Sequence, residues 1–390
     1  MTAETQIRTA VIDGDQHLSE PRTMWRDHID PEFRDDALSI EDDELGYPWL
    51  TWRGRRLYLA ELQHPGKAKE IGDARARLDA GEPAEHRYDE AIPDSYWNPS
   101  ARVAALDEFG IDQAVLLPNF GLLWEDMLAS DVPALNANLR AHNRWMAESV
   151  ADGAGRLHGV AHLSLADRDW AVEEIGRIRE AGLRLAMIAP GLVNGKAPSH
   201  PDLDPVWAAF ADHGVAPIYH VSGFKKPWDD AWYEGDAEPV DHLLDSIFLW
   251  VPAALAVSNL ILNATFERHP GLRLGIIELT AGWVPVFLAT MDGALMFYSA
   301  RHNGPPRPLE LTPSEYFRRH VRVGALGYEQ PGQLIGHAGD LFMYGSDWPH
   351  AEGLAEPRAA YERFIDGVEG EHRDKLMGGN VRWLLGESGV

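Results

Sequence analysis

The stretch DGDQHLSEP, residues 13–21, sets Asp13, Asp15, His17 and Glu20 within eight positions. In an extended strand, residues two apart share a face, so Asp13, Asp15 and His17 are expected to point the same way. Further along, ionisable residues recur at the ends of apolar runs: His162 in HGVAHLS, His220 in APIYHV, Glu278 in LGIIEL, and Asp347 and His350 in YGSDWPH. Carboxylates held close together repel and raise one another's pKa unless a cation lies between them. Imidazole and carboxylate together form a donor set for Zn, Mn or Fe. The chemistry that these residue types suit is that of a metal centre.

Eight short apolar runs are positioned to carry those residues. They are AVIDGDQH (10–17), QAVLLPN (113–119), HGVAHLS (158–164), RLAMIA (184–189), APIYHV (216–221), LGIIEL (274–279), HVRVGAL (320–326) and LFMYGSD (341–347). Each reads as a strand. Between them lie amphipathic segments such as DRDWAVEEIGRIREAG, DLDPVWAAFADHG and EPRAAYERFIDG, which open on acids and close on glycine as capped helices do. Strand alternating with helix predicts an α/β protein with a parallel sheet, and eight repeats predict a (β/α)8 barrel of the TIM type. In such barrels reactive groups gather at the carboxyl ends of the strands, where the ionisable residues above fall. The chain is read as one metal-dependent barrel domain over 1–390, interrupted after its first strand by a long insertion, 27–101, that shapes the substrate side. Trp25, Trp49, Trp52 and Trp97 border this insertion and are candidates to line an apolar pocket. The basic clusters RGRR (53–56) and FKK (224–226) are candidate anchors for a substrate carboxylate or thioester, weighed against ordinary solvated loop charges.

Composition narrows the classes. Sixty-one acids against thirty-five bases give a formal charge of −26, which disfavours nucleic acid and anionic membrane surfaces as partners. The chain has no cysteine, which excludes disulfides, thiolate-held iron–sulfur clusters and a cysteine nucleophile. The amino-terminal residues lack the basic and apolar regions of a secretory signal, so a cytoplasmic location is expected. The run IFLWVPAALAVSNLILNATF (247–266) approaches the length of a membrane span, but Pro252, Ser258, Asn259 and Asn263 favour a buried or interface helix, and with it a homodimer.

The residues in VIDGDQHLSEP, APIYHVSG, ATFERHPGLRLGIIELTAGWVP and MYGSDWPHAEG, in this order, resemble the amidohydrolase superfamily, specifically its decarboxylase-like, metal-dependent barrel branch. The likeness runs from about residue 8 to GGNVRWLLG near the carboxyl terminus. It implies that Asp15 and His17 form the first metal-binding pair, with His220 and Asp347 as further ligands. The chain departs from the decarboxylases at Glu278, which stands where they carry a histidine thought to act in catalysis. With Glu20 added, the candidate ligands become Asp15, His17, Glu20, His220, Glu278 and Asp347, two histidines and four carboxylates. Four negative charges balance two divalent ions, and the pattern is similar to that of dinuclear non-haem oxygenases of this superfamily, isobutyrate hydroxylase among them.

The leading expectation is therefore a dinuclear Fe or Fe/Mn monooxygenase that hydroxylates an unactivated carbon of a small organic or terpenoid acid or its thioester, using dioxygen and an external electron donor. His162 and His350 would complete a coordination shell or orient a ligand. The alternative is a mononuclear Zn or Mn decarboxylase or hydrolase acting on an aromatic or unsaturated acid, with Glu278 as general acid or base instead of ligand. Asp13, one residue pair deeper than Asp15, is expected to hydrogen-bond beneath the site.

Overall fold

The computed structural model describes residues 10–221, 227–233 and 243–387. Among the described residues eleven strands, β1–β11, form two sheets. Eight belong to one parallel sheet: β1 (Ile12–Leu18), β5 (Gln113–Pro118), β6 (Leu157–His162), β7 (Leu185–Met187), β8 (Ala216–Tyr219), β9 (Leu274–Ile276), β10 (Val321–Ala325) and β11 (Phe342–Tyr344), paired in that order. Every expected strand is present, in a (β/α)8 arrangement. The ring closes between β11 and β1 through backbone contacts at their carboxyl ends, where His17 N–H donates to the Trp348 carbonyl at 2.8 Å and Asp347 N–H to that of Asp15 at 2.8 Å.

Alternation sorts the side chains into two cores. Ile12, Val115, Leu117, Val160, Leu185, Met187, Ala216 and Ile218 form an inner cluster, and Val381 and Leu384 of the carboxyl-terminal helix join it. The complementary positions, such as Ala114, Leu116, Ala161, Ala186, Leu274 and Val323, pack outward against the helices. Caps end the helices as their sequences suggest: Asp167 accepts from Trp170 N–H at 3.1 Å, and Gly110 and Gly214 adopt left-handed backbone at the ends of theirs. The 247–266 run contains the helix Val251–Leu262, whose Ala253, Val257, Leu260 and Ile261 are buried. No helix among the described residues is long and apolar enough to cross a membrane.

The 27–101 insertion is more structured than its sequence suggests. It holds the antiparallel sheet of β2 (Ser39–Asp42), β3 (Pro48–Trp52) and β4 (Arg55–Leu59), followed by the helix Ala68–Asp79. RGRR supplies the turn between β3 and β4: Arg53 and Gly54 both have positive φ, as tight hairpins require. Its arginines are engaged locally, Arg53 with Asp36 and Asp131 and Arg56 with Glu44, so they do not act as free anchors. FKK lies outside the described residues. Trp25 is buried beside Trp124, Trp52 donates to the Asp36 carbonyl, and Trp49 donates to Asp43. These three serve packing, while Trp97 is 41% exposed.

Candidate metal centre

The ladder between β1 and β5 loses register between Asp13 and Gln16. This irregularity overturns the expectation that Asp13, Asp15 and His17 share a face. Asp13 instead accepts hydrogen bonds from Gln16 Nε2 at 2.9 Å, Ser346 N–H at 3.0 Å and Ser346 Oγ at 2.6 Å. Burial raises its pKa to about 6 against the opposing pull of those donors. Asp13 thus supports the loop that carries Asp347.

Asp15 and His17 meet His220, Glu278, Asp347 and His350. Two overlapping groups of possible ligand atoms form: Asp15, His17, His220 and Glu278, and His17, Glu278, Asp347 and His350. His17 Nε2 lies 3.5 Å from Asp15, 3.2 Å from Asp347 and 3.9 Å from Glu278, while His220 Nε2 lies 3.0 Å from Glu278 and 3.6 Å from Asp15. His17 Nδ1 is 3.0 Å from the Pro118 carbonyl and His220 Nδ1 is 3.2 Å from that of Val221. A carbonyl only accepts, so in both rings Nδ1 carries the proton and Nε2 presents its lone pair to the cluster.

The fit to a cation follows from what these atoms lack. Asp15 Oδ1, His17 Nε2, His220 Nε2 and Glu278 Oε2 are buried without a hydrogen-bond partner. Four lone-pair acceptors facing one another cannot satisfy one another, and burying them so is costly unless positive charge lies between them. The protonation equilibria show the same demand. Burial pushes the His220 imidazole down, but Glu278 and Asp15 outweigh it and raise its pKa to about 9. His17 is likewise depressed by burial yet driven well above its ordinary value by Asp15 and Asp347. Burial pushes the Asp15 carboxyl up, whereas His17 and His220 hold it below the usual carboxylate range.

Backbone geometry also marks the site. Glu278 and Asp347 both take left-handed backbone, with φ of 55° and 56°, at a cost of about 1–3 kcal/mol each for a residue other than glycine. The glycines of MYGSDWPHAEG make this loop possible. A Cβ on Gly345 would come within 2.8 Å of Asp15 Cβ, and one on Gly353 within 2.1 Å of the Asp347 carbonyl oxygen.

Two expected residues lie elsewhere. Both carboxylate oxygens of Glu20 sit 3.1 Å from the Phe120 N–H, where the charge complements the start of the helix Gly121–Leu128. Glu20 belongs to neither ligand group, because this long-range contact turns it away. His162 is also outside them: its Nε2 pairs with Glu125 at 3.0 Å, and its ring packs against Trp124 and His142. His350 is at the centre, but both its nitrogens are engaged, Nδ1 with Asp347 at 2.8 Å and Nε2 with Asn119 at 3.0 Å, so it orients Asp347.

Asn119 and Arg102 were not singled out from the sequence. Asn119 follows the apolar run of β5 as the other rim residues follow theirs, so the same signal marks it. Arg102 is a fully buried cation that donates to the carbonyls of His17 at 2.7 Å and Ser95 at 2.7 Å and stacks 4.4 Å from the Trp348 ring. It ties β1, the insertion and the loop after β11 together, and lies in an ordinary helical pattern that gives no hint of this.

A family model for amidohydrolases matches residues 12–386. The chain is 25% identical over 284 residues to gamma-resorcylate decarboxylase of Rhodococcus jostii (strain RHA1), covering 66% of this chain and 82% of that protein. Its structure is similar to that of an amidohydrolase from Mycobacterium avium subsp. paratuberculosis K-10, with a TM-score of 0.77 and 26% identity over 97% of this chain and 100% of the other. It shares its fold with a dihydroxybenzoic acid decarboxylase from Polaromonas sp. JS666 solved with bound manganese and 2-nitroresorcinol, at a TM-score of 0.62 and 18% identity over 97% of each chain. With a family match across nearly its whole length and a rim of converging ligand atoms, the chain belongs to the amidohydrolase superfamily, on its decarboxylase-like branch, as a metal-dependent enzyme.

Proposed function

We propose that the protein is a mononuclear Mn- or Zn-dependent decarboxylase of a small aromatic or unsaturated carboxylic acid. The observation that carries this reading is that both ligand groups share His17 and Glu278 and so describe one site, while Glu20 is committed to Phe120. Without Glu20 the four carboxylates that balanced two ions fall to three, Asp15, Glu278 and Asp347, and with Glu278 assigned as the acid, Asp15 and Asp347 match one divalent ion. The similarity to resorcylate decarboxylase supports the same choice. A divalent ion held by Asp15, His17, His220 and Asp347 would supply positive charge to anchor the substrate carboxylate and offset electron density released from the breaking bond.

The protein supplies orientation and a proton. The carbonyls of Pro118 and Val221 fix the two imidazoles, and His350 holds Asp347. Tyr88, Tyr96 and Phe120 line a narrow pocket on the insertion side together with Asn119. Glu278, with its side chain 14% exposed, is the rim acid nearest to solvent. Its carboxyl delivers a proton to the carbon that loses carbon dioxide: the carbon–carbon bond breaks, its electron pair stays on that carbon, and a carbon–hydrogen bond forms. No electrons are exchanged, so neither dioxygen nor an external donor enters this reaction.

The test is metal per chain and carbon dioxide release from a panel of hydroxybenzoates, for the wild type and Glu278→Gln. One Mn or Zn per chain is expected in both, with turnover in the variant lowered by about 10²–10⁴. Two Fe per chain with dioxygen-dependent product, or loss of metal in Glu278→Gln, would overturn this assignment in favour of the dinuclear oxygenase.

A further inference from the structure

Glu278 is held differently from the other rim residues. His350 orients Asp347, and backbone carbonyls orient His17 and His220. Glu278 Oε2 faces His220 Nε2 at 3.0 Å and His17 Nε2 at 3.9 Å, and among the described residues it has no hydrogen-bond partner. The aim of this carboxylate is therefore set by its main chain. Glu278 and Thr280 both take left-handed backbone, each with φ of 55°, while Ile277, Leu279 and Ala281 are buried around them. A residue other than glycine keeps that conformation only where its surroundings impose it.

We propose that Glu329 imposes it and is the positioning residue for Glu278. The two oxygens of its carboxylate divide between two loops. Oε2 accepts from Leu326 N–H at 3.0 Å, the ordinary contact of a glutamate with the start of its own turn. Oε1 leaves that turn and accepts from Ala281 N–H at 2.7 Å and Gly282 N–H at 2.9 Å, which lie 48 and 47 positions away and directly follow Thr280. Hydrogen bonds to a carboxylate are about twice as strong as those between neutral groups. One side chain thus clamps the loop after β9, which carries Glu278, to the loop after β10.

The loop after β10 is the fixed member of this pair. The fully buried Tyr361 donates its hydroxyl to the Ala325 carbonyl at 2.8 Å, and Glu329 N–H closes its turn on the Leu326 carbonyl at 3.0 Å. The same loop brings Tyr328 beside the acid: burial, Glu329 and Glu278 together push its phenol up. Glu329 belongs to neither ligand group, so its removal leaves the metal donors in place. What it controls is the backbone beneath one rim acid. The inference rests on the reading of Glu278 as the proton donor.

The test uses the manganese-loaded chain and the hydroxybenzoate that the wild type turns over fastest, with Glu329→Ala, Glu329→Gln, Glu278→Gln and the double variant Glu278→Gln/Glu329→Ala. Glu329→Ala is expected to lower kcat by about 10–100-fold through misplacement of the acid, with KM and metal per chain unchanged. Glu329→Gln, which keeps one oxygen for Ala281 and Gly282, is expected to recover most of that loss. In the double variant kcat should fall no further than in Glu278→Gln alone, because a residue that acts through another adds nothing once the other is gone. A raised KM, lost metal, or the same factor lost again in the double variant would make Glu329 a general support of the fold and overturn the proposal. A second measurement does not depend on the reaction: amide exchange read by mass spectrometry should quicken over 277–283 in Glu329→Ala and stay unchanged over 12–18 and 342–347. A wild type that releases no carbon dioxide from any hydroxybenzoate would sink the reaction assigned to Glu278, whereas unchanged exchange over 277–283 would sink the clamp.

Discussion

The rim centre and the polar cluster around His142 both bury histidines, and the barrel treats His17 and His220 in the opposite way to His142. At the rim, His17 and His220 face carboxylates and are driven toward positive charge. Around His142, burial comes first and the neighbouring His162 adds to it, bringing the pKa down to about 3 with Asn143 giving only a weak counter-pull. Burial alone discharges an imidazole; converging carboxylates make the same ring part of a cation site. Depth in the fold therefore does not mark a metal ligand. The orientation of unsatisfied lone pairs does.

The sharpest way to break this contrast is to remove one histidine from each place. His220→Ala is expected to reduce bound metal to background in chelator-free preparations, measured by plasma mass spectrometry. His162→Ala is expected to keep wild-type stoichiometry, because its Nε2 is committed to Glu125. Equal loss of metal in both variants would erase the distinction. A smaller effect comes from the support of the rim. Asp13→Asn puts an amide where only donors converge, at Ser346 and Gln16, and should weaken metal binding by about 10–100-fold in a competition assay with a chromophoric chelator. An unchanged affinity would mean that the loop holds Asp347 without Asp13.

The smallest effect concerns His142 and pH. Its folded pKa, about 3, lies below the ordinary 6.5, so between these values the unfolded chain binds a proton that the folded chain does not. The stability it contributes is complete above pH 6.5 and is lost as pH falls toward 3. His142→Phe should therefore show a shallower fall in melting temperature over that interval than the wild type. Parallel curves would assign the acid sensitivity to other groups.

The barrel was legible because each of its strands is an apolar run flanked by helical periodicity, and its rim because ionisable residues stand at the ends of those runs. What escaped depends on contacts distant in sequence or on local irregularity. The slip between Asp13 and Gln16 leaves no trace in composition, yet it decides which acids face the centre. Glu20 could be separated from the ligands only through Phe120, and His162 only through Glu125. SIED and RRLYL in β2 and β4 are too short and too charged to announce a sheet, and the hairpin turn at Arg53–Gly54 was read as a basic cluster instead.

The closure of β11 onto β1 has a consequence for how the molecule is made. Asp13 and Ser346 are 333 positions apart, and Asp15, His17 and Asp347 come from opposite ends of the chain. During synthesis the amino-terminal strand emerges with its acids and imidazole long before the strand that completes their surroundings has been translated. The nascent polypeptide must therefore carry an unfinished site through most of its elongation. A chain interrupted before Phe342 has no Asp347 with which to finish it. The ligand group that includes Asp347 and His350 is therefore complete only in a polypeptide whose first and last barrel strands have both been made and have met.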